Sequence, residues 1–436
     1  MWDEVKKLTS SSRSTSPPLS ISADSLNQYY SSISSDSLYS PPPMKQTATQ
    51  PSNIVTEFSV FYLLSHLKAT AAGPDGLPFW FLRLAAPFIS EPLTHLINLS
   101  LLTSEVPLQW KAAIIRPIPK ISTPTDPSHM RPISVVSVLS RLTERLVIRT
   151  VFTPALISFP ALFNQFAYRP TSSTTAALIA LLDKITSLLR SNSCVVVLSF
   201  DYSKAFDTLS HTSVATTLST LNIPDNIYNW SVDFLKGRTH QTTLNGALST
   251  SAKISAGVNQ GSVMGPTMFN IASSTLTPVS PDNSFFKFAD DGYLVVPGRN
   301  INSIPQELVH HQNWAANQNL KLNISKTSEI VFYSRRSTTQ PPPPIPGIAR
   351  VTQLKILGVI VDEKLNFQLH INELIKSCAQ ALFALKTLHH HGLSEESIQL
   401  TFTSKVLSKI TYASPAWSGF ISEGSVGRFL KESLSV

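Results

Sequence analysis

The 436 residues include only two cysteines, Cys194 and Cys378. That is too few for a disulfide framework or a Cys-based zinc site. Charged residues make up only 14% of the chain, and the surplus they leave is basic, +8. No stretch reaches the roughly 18 uncharged apolar residues of a membrane span. The start, MWDEVKKLTSSSRSTSPP, lacks the apolar core of a secretion signal. No GxxxxGK[ST] loop and no HExxH helix is present. These absences exclude a disulfide-stapled secreted domain, a helical membrane protein, a P-loop nucleotidase and a zincin. What remains is a chain with 42% hydrophobic residues, long enough for two or three structural units. It is expected to reside inside the cell, in nucleus or cytoplasm, away from membranes, and its basic surplus points to a polyanionic partner.

Residues 1–53 are rich in Ser, Pro and Thr, as in SSSRSTSPPLS and YSPPPMKQ, and read as a disordered linker. TEFSVFYLLSHLKAT reads as a helix capped by Thr56, and residues 84–102 as one or two helices broken by the prolines at 87 and 92. KAAIIRPIPK (111–120) reads as a strand. CVVVLSF (194–200) is a near-continuous apolar strand of the buried kind. HTSVATTLSTL predicts a helix, and HQTTLNGALST a hairpin turning at Asn245 and Gly246. EIVFYS (329–334) and LKILGVIVD (354–362) each read as one strand. Helical spacing from Ile371 to Leu388 predicts a long helix, followed by another that Ser394 opens.

The stretch SFFKFADDGYLVV (284–296) sets Asp290 and Asp291 between two apolar runs. Asp291-Gly292 supplies the tight turn of a hairpin in this reading. Adjacent carboxylates repel and raise each other's pKa unless a cation intervenes. A hard divalent ion with oxygen ligands is the natural neutraliser. An ordinary exposed hairpin turn is the competing reading, and this motif alone favours it. The strand CVVVLSF shifts the balance, because it ends in Asp201. Three carboxylates from neighbouring strand ends could hold two metal ions and so serve phosphoryl transfer.

DYSKAFDTLSH (201–211), NQGSVMGPTMFNI (259–271) and FADD (288–291) resemble, in order and spacing, motifs A, B and C of reverse transcriptases. AAGPDGLP (71–78), WKAAIIRPIPK (110–120), HMRPISVVSVLSRLTERL (129–146) and NQFAYRP (164–170) resemble the finger motifs of non-LTR (LINE-like) retrotransposons. NLKLNISKTSEIVF and LKILGVIVD are similar to motifs D and E, and TYASPAW to the early thumb. The resemblance implies an α+β right-hand polymerase with an antiparallel palm sheet packed on helices. Its parts would be an N-terminal helical extension over 54–110, fingers and palm over 111–362, and a partial helical thumb over 363–436.

The resemblance implies roles as well. Asp201, Asp290 and Asp291 would be the catalytic carboxylates, holding Mg²⁺, or alternatively Mn²⁺, with the main-chain carbonyl of Tyr202. Phe206 would be the gate that rejects a 2′-hydroxyl and selects dNTPs. Gln260 and Gly261 would meet the incoming nucleotide, although Asn259 replaces the family's usual proline. Lys120 and Arg131 would clamp the triphosphate, Lys326 would protonate the leaving pyrophosphate, and Leu357 and Gly358 would form the primer grip. Lys376, Lys386, Lys405 and Lys409 would track the nucleic-acid backbone. Asp207 reads as a cap or brace for the turn before the helix at 211–221, outside catalysis. The implied partners are an RNA template, a DNA primer or target-site DNA, and dNTPs. The chain reads as part of an element's open reading frame, with no endonuclease, RNase H or zinc module. Two alternatives stay open on the residues alone: a decayed relative that binds nucleic acid without extending a primer, and a two-metal nuclease.

Overall fold

The computed structural model describes residues 21–46, 54–334 and 340–420. The chain divides into two compact units. One contains Met1–Phe159, Lys204–Thr275 and Asn317–Leu320; the other contains Pro160–Ser203, Leu276–Ala316 and Lys321–Val436. The units interleave along the sequence, so they cut across the boundaries expected near residues 110 and 362. Among the described residues no helix is long and apolar enough to cross a membrane.

In the first unit, strand Ala112–Pro119 pairs antiparallel with Met130–Val136 and parallel with Thr239–Leu244. A helix, Ala23–Ile33, packs Leu26 and Tyr30 against Ile115 and Met130 of this sheet. The expected disordered linker is therefore corrected over residues 21–46; the rest of that expectation lies outside the described residues. Leu26, Tyr30 and Ile33 fall at helical spacing, and Ser22 caps the helix by accepting from the Ser25 N–H. Polar contacts fix it further. Asn27 donates to the Thr250 carbonyl and accepts from Thr242 Oγ1, each at 2.9 Å. Asp24 accepts from the Thr250 N–H at 2.8 Å.

Thr56 caps the helix Glu57–Ser65. Pro87 sits in the first turn of Ala86–Thr103, where its missing N–H costs nothing, whereas Pro92 lies inside that helix and does not end it. The hairpin Thr239–Leu248 turns at Asn245 and Gly246, both at positive φ, as a two-residue type I′ connection requires.

The second unit is built on a five-stranded sheet in the order Ala349–Arg350, Ser328–Tyr333, Cys194–Phe200, Asp291–Pro297, Ser284–Phe288. All pairings are antiparallel except that of the two-residue edge strand Ala349–Arg350. Val195, Val197, Val295 and Phe332 are buried against Leu178, Leu181 and Ile185 of the helix Thr174–Leu189. Each such side chain contributes about 1.5–3 kcal/mol relative to exposure.

LKILGVIVD is two strands rather than one. Gln353–Ile356 and Val359–Asp362 pair antiparallel around Leu357 and Gly358, which have φ of 45° and 88°. Two consecutive positive φ values reverse a chain, and the continuous apolar pattern concealed the turn. The helices Gln368–His390 and Glu395–Phe402 follow, with Ser394 capping the second.

Candidate active site

The carboxylates belong to the sheet unit. Cys194–Phe200 and Asp291–Pro297 are in register with Phe200 opposite Gly292. One residue further along this register sets Asp201 opposite Asp291, where antiparallel partners have Cα atoms about 4.5–5.5 Å apart. The hairpin turn itself is displaced from its expected place. Phe288 pairs with Asp291, so the two-residue loop is Ala289-Asp290, and the left-handed residue is Ala289, at φ 55°. Gly292 lies within the strand. A Cβ there would come within 3.1–3.2 Å of the Phe285 ring, so this glycine serves a close approach rather than a turn.

A left-handed alanine costs about 1–2 kcal/mol, and Gln165 offsets it. This fully buried side chain accepts from the Ala289 N–H at 3.1 Å and donates to the Ala289 carbonyl at 3.4 Å. Gln165 is a positioning residue that the sequence reading passed over inside NQFAYRP. Its only signal there was a pair of amides, Asn164 and Gln165, between Phe163 and Phe166.

Burial and the neighbouring acids push the carboxyls upward. Burial raises the Asp290 pKa, and the Asp201 charge raises it further. Asp291 is pushed up to about 6 by burial, then by Asp290 and Asp201; its solvent-exposed edge screens part of that repulsion. Lys326 Nζ stands 3.6 Å from Asp201 Oδ2. Both partners are more than one-third exposed, so this pair is worth about 0–1 kcal/mol. Strand packing, not the ion pair, fixes Asp201.

Asp201 Oδ2 is itself buried and lacks a hydrogen-bond donor. An oxygen-only donor set, mutual repulsion and one orphaned carboxylate oxygen fit a hard divalent cation. Among the described residues no three His, Cys, Asp or Glu side chains close into a metal cage. Mg²⁺ does not require one, since it is usually bound by one or two carboxylates together with water and substrate phosphates.

Tyr202 is buried, and its hydroxyl meets His311 Nε2. The Asn323 N–H donates to the Asp201 carbonyl at 2.8 Å, tying the strand end to the short strand Lys321–Leu322, which pairs with Tyr202 and Ser203. Leu357 and Gly358 form the tip of their hairpin. Tyr412, from TYASPAW, donates its hydroxyl to the Leu357 carbonyl at 2.8 Å.

The nucleotide residues inferred from resemblance belong to the other unit. Gln260 Nε2 donates to Asp207 Oδ1 at 2.8 Å, and the Gln260 carbonyl accepts from the Ser134 N–H at 2.8 Å. Gly261, at φ 146°, lies so close to Ser134 that a Cβ would stand 2.0 Å from its carbonyl oxygen. Asp207 is not the cap of the following helix; Ser210 is. Asp207 holds Gln260 instead, and burial pushes its pKa up to about 6. The Phe206 ring stacks on Phe269 at 4.6 Å.

Lys120 donates to the Ser128 carbonyl at 2.8 Å and lines a cavity beside Gln260. Arg131 is exposed. Strand alternation directs it away from Met130 and Pro132, which line that cavity. The structure does not bring Lys120 and Arg131 to one wall.

Glu144 was also missed. Its buried carboxylate accepts from Ser262 Oγ at 2.6 Å and from the N–H groups of Val263 and Met264 at 2.7 and 2.9 Å. It thereby serves the N-terminus of the helix Met264–Ser273 and anchors the loop that carries Gln260. The sequence signal was an acid four residues after Ser140, which donates to it at 2.9 Å, on the buried face of the helix Val138–Val147.

Comparison with known proteins gives these positions a family. The chain is 28% identical over 344 residues to the RNA-directed DNA polymerase from mobile element jockey of Drosophila melanogaster, covering 74% of this chain and 37% of that protein. It is 26% identical over 342 residues to the probable RNA-directed DNA polymerase from transposon X-element of the same species, covering 74% and 36%. The chain thus spans little more than a third of these relatives. Among solved structures, apo telomerase from Candida tropicalis aligns with a TM-score of 0.45 at 13% identity, over 76% of this chain and 63% of that one. Residues 118–361, more than half the chain, match the family described as reverse transcriptase (RNA-dependent DNA polymerase), and the chain belongs to that family.

Proposed function

We propose that this chain carries the polymerase centre of a non-LTR retrotransposon reverse transcriptase and extends a DNA primer on an RNA template with dNTPs. The observation that carries the reading is the convergence of Asp201, Asp290 and Asp291 at adjacent strand ends. In the reaction the primer 3′-oxygen bonds to the α-phosphorus, the bond from that phosphorus to the pyrophosphate oxygen breaks, and the hydroxyl proton passes to solvent water. A divalent ion, taken to be Mg²⁺, would be held by Asp201, Asp290 and Asp291 with the Tyr202 carbonyl; when bound, it supplies charge neutralisation and Lewis acidity.

The chain's own groups account for the remainder. Gln165 fixes the turn from which Asp290 projects. Lys326, with its ammonium beside Asp201, donates a proton to the leaving pyrophosphate. Phe206 offers no hydrogen-bond acceptor to a 2′-hydroxyl, which selects the deoxy sugar. Gln260 and Gly261 face the incoming nucleotide, Lys120 meets its phosphates, and Leu357 and Gly358 present main chain to the primer. A nuclease needs neither the sugar gate nor the glutamine loop.

The test is dNTP incorporation on a primed RNA, comparing the wild type with Asp290→Ala/Asp291→Ala. Incorporation by the wild type, lost in the double variant, is expected. Binding of the primed RNA without any incorporation, or cleavage of the primer without dNTP, would overturn the reading.

A further inference from the structure

The connection from Tyr333 to Ala349 spans residues 334–348, longer than most connections in a compact domain. Its described part includes QPPPPIPG, residues 340–347. Proline fixes φ at about −65°, and a residue that precedes proline is held in extended backbone. Pro341, Pro342 and Pro343 obey both constraints, and Ile345 obeys the second. The run is therefore polyproline II, a helix with three residues per turn and no internal hydrogen bonds. Gly347, at φ 78°, ends it.

Burial follows that period. Pro342 and Ile345 are half-buried and Ile348 is buried, whereas Gln340, Pro341, Pro343, Pro344 and Pro346 are exposed. One row of the helix faces the protein and two rows face solvent.

The inner row is held by a clamp. Glu329 is fully buried, and its Oε1 accepts from Arg350 Nε at 2.9 Å and from the Ile345 N–H at 3.1 Å. Arg350 donates its other guanidinium nitrogens to the carbonyls of Pro342, at 2.6 Å, and Pro343, at 3.0 Å. Between Pro341 and Pro346 only Ile345 has a main-chain N–H, so the clamp takes the one donor of the run. A buried ion pair is a weak source of stability. What this one yields is a fixed presentation of the two outer rows, with little ordering left to be done on binding. Shielding the sheet edge at Ala349–Arg350 needs the inner row alone.

We propose that residues 340–347 are a docking ligand for a second protein, one whose domain takes polyproline II in an aromatic-lined groove, as a WW domain does. Pro341 and Pro344 form one ridge presented to that groove, and Pro343 and Pro346 the other. No side chain from Gln340 to Ile348 is charged. The groove that fits them therefore needs no acidic pocket, and a polyanion finds no cation here. The inference goes beyond the polymerase reading and does not depend on it.

The test titrates the full chain by calorimetry with a set of purified WW domains and, for contrast, with SH3 domains that carry an acidic pocket beside the groove. Saturable binding by a WW domain is expected. Pro341→Ala/Pro343→Ala/Pro344→Ala/Pro346→Ala, which strips the outer rows, should weaken that binding about tenfold or more. Pro342→Ala, on the inner row and with its carbonyl kept, should leave it within about threefold. The circular dichroism spectrum of each variant should match the wild type, which ties any loss to the rows themselves.

Absence of binding by every WW domain, undiminished binding by the outer-row variant, or tighter binding by an SH3 domain than by any WW domain overturns the proposal. A loss in Pro342→Ala as large as that in the outer-row variant overturns it too, since the segment would then be read from the face that the clamp covers.

Discussion

In the unit built on Cys194–Phe200, three carboxylates gather with one ammonium, Lys326, beside them. In the unit built on Ala112–Pro119, one carboxylate, Asp207, lies among Lys120, Lys204 and a set of unpaired donors. The first arrangement lacks positive charge and the second lacks acceptors. The contrast also separates two kinds of raised carboxyl. Asp291 is pushed up by burial and by other acids, whereas Asp207 is pushed up by burial alone, against the pull of Gln260 and two lysines.

The largest expected effect tests the acid-rich unit. Asp201→Asn keeps the shape and removes one charge, and it should lower primer extension by about 10³-fold or more while leaving the melting temperature nearly unchanged. Activity within about tenfold of wild type would break the contrast, since the acid-rich unit would then work without one of its three charges. An intermediate effect belongs to the donor-rich unit. Gly261→Ala drives a methyl into the Ser134 carbonyl at a φ of 146°, so it should destabilise the chain by about 1–3 kcal/mol. A melting curve reads that loss, and dNTP KM should rise with it. An unchanged melting temperature would mean that the loop does not hold its close approach to Ser134.

The smallest effect separates the two raised carboxyls. A carboxyl whose pKa rises from 3.8 to about 6 on folding stabilises the fold fully below pH about 4, and that stability is lost as pH rises through about 6. A cation that holds the charged form restores it only above that range. Millimolar Mg²⁺ should therefore raise the melting temperature by a few degrees at pH about 7.5 and not at pH about 4.5, and Asp290→Asn/Asp291→Asn should abolish that response. Asp207→Asn should instead raise the melting temperature at the higher pH with the Mg²⁺ response intact. Loss of the Mg²⁺ response in Asp207→Asn would merge the two sites.

The strand Cys194–Phe200 was legible because a central strand buried on both faces must be apolar throughout, and its end marked Asp201. The hairpin arms were equally plain, but the turn was misplaced. Gly292 looked like the residue that reverses the chain, while Ala289 does so under the hold of a side chain more than a hundred residues away. No local pattern announces such a contact. Leu357 and Gly358 were set in one strand, because an apolar run through a two-residue turn has no break in its periodicity. The helix Ala23–Ile33 was hidden by composition. Serines and prolines dominate its surroundings, and its buried face is short, carried by Ala23, Leu26, Asn27 and Tyr30 with Ile33 half-buried beside them. Glu144 and Gln165 escaped for one shared reason. Each is a polar residue whose importance lies in the main-chain groups it satisfies, and those groups belong to distant loops.

Both ends of the Gln165 amide meet the main chain of one residue, Ala289, and its oxygen also accepts from the Ala167 N–H at 3.1 Å. The bend beneath Asp290 is thus locked by neutral groups, and it owes nothing to ionic strength, to pH or to whatever binds there. A bend fixed in this way leaves the energy of substrate binding free for the proposed chemistry instead of consuming it in assembling the site.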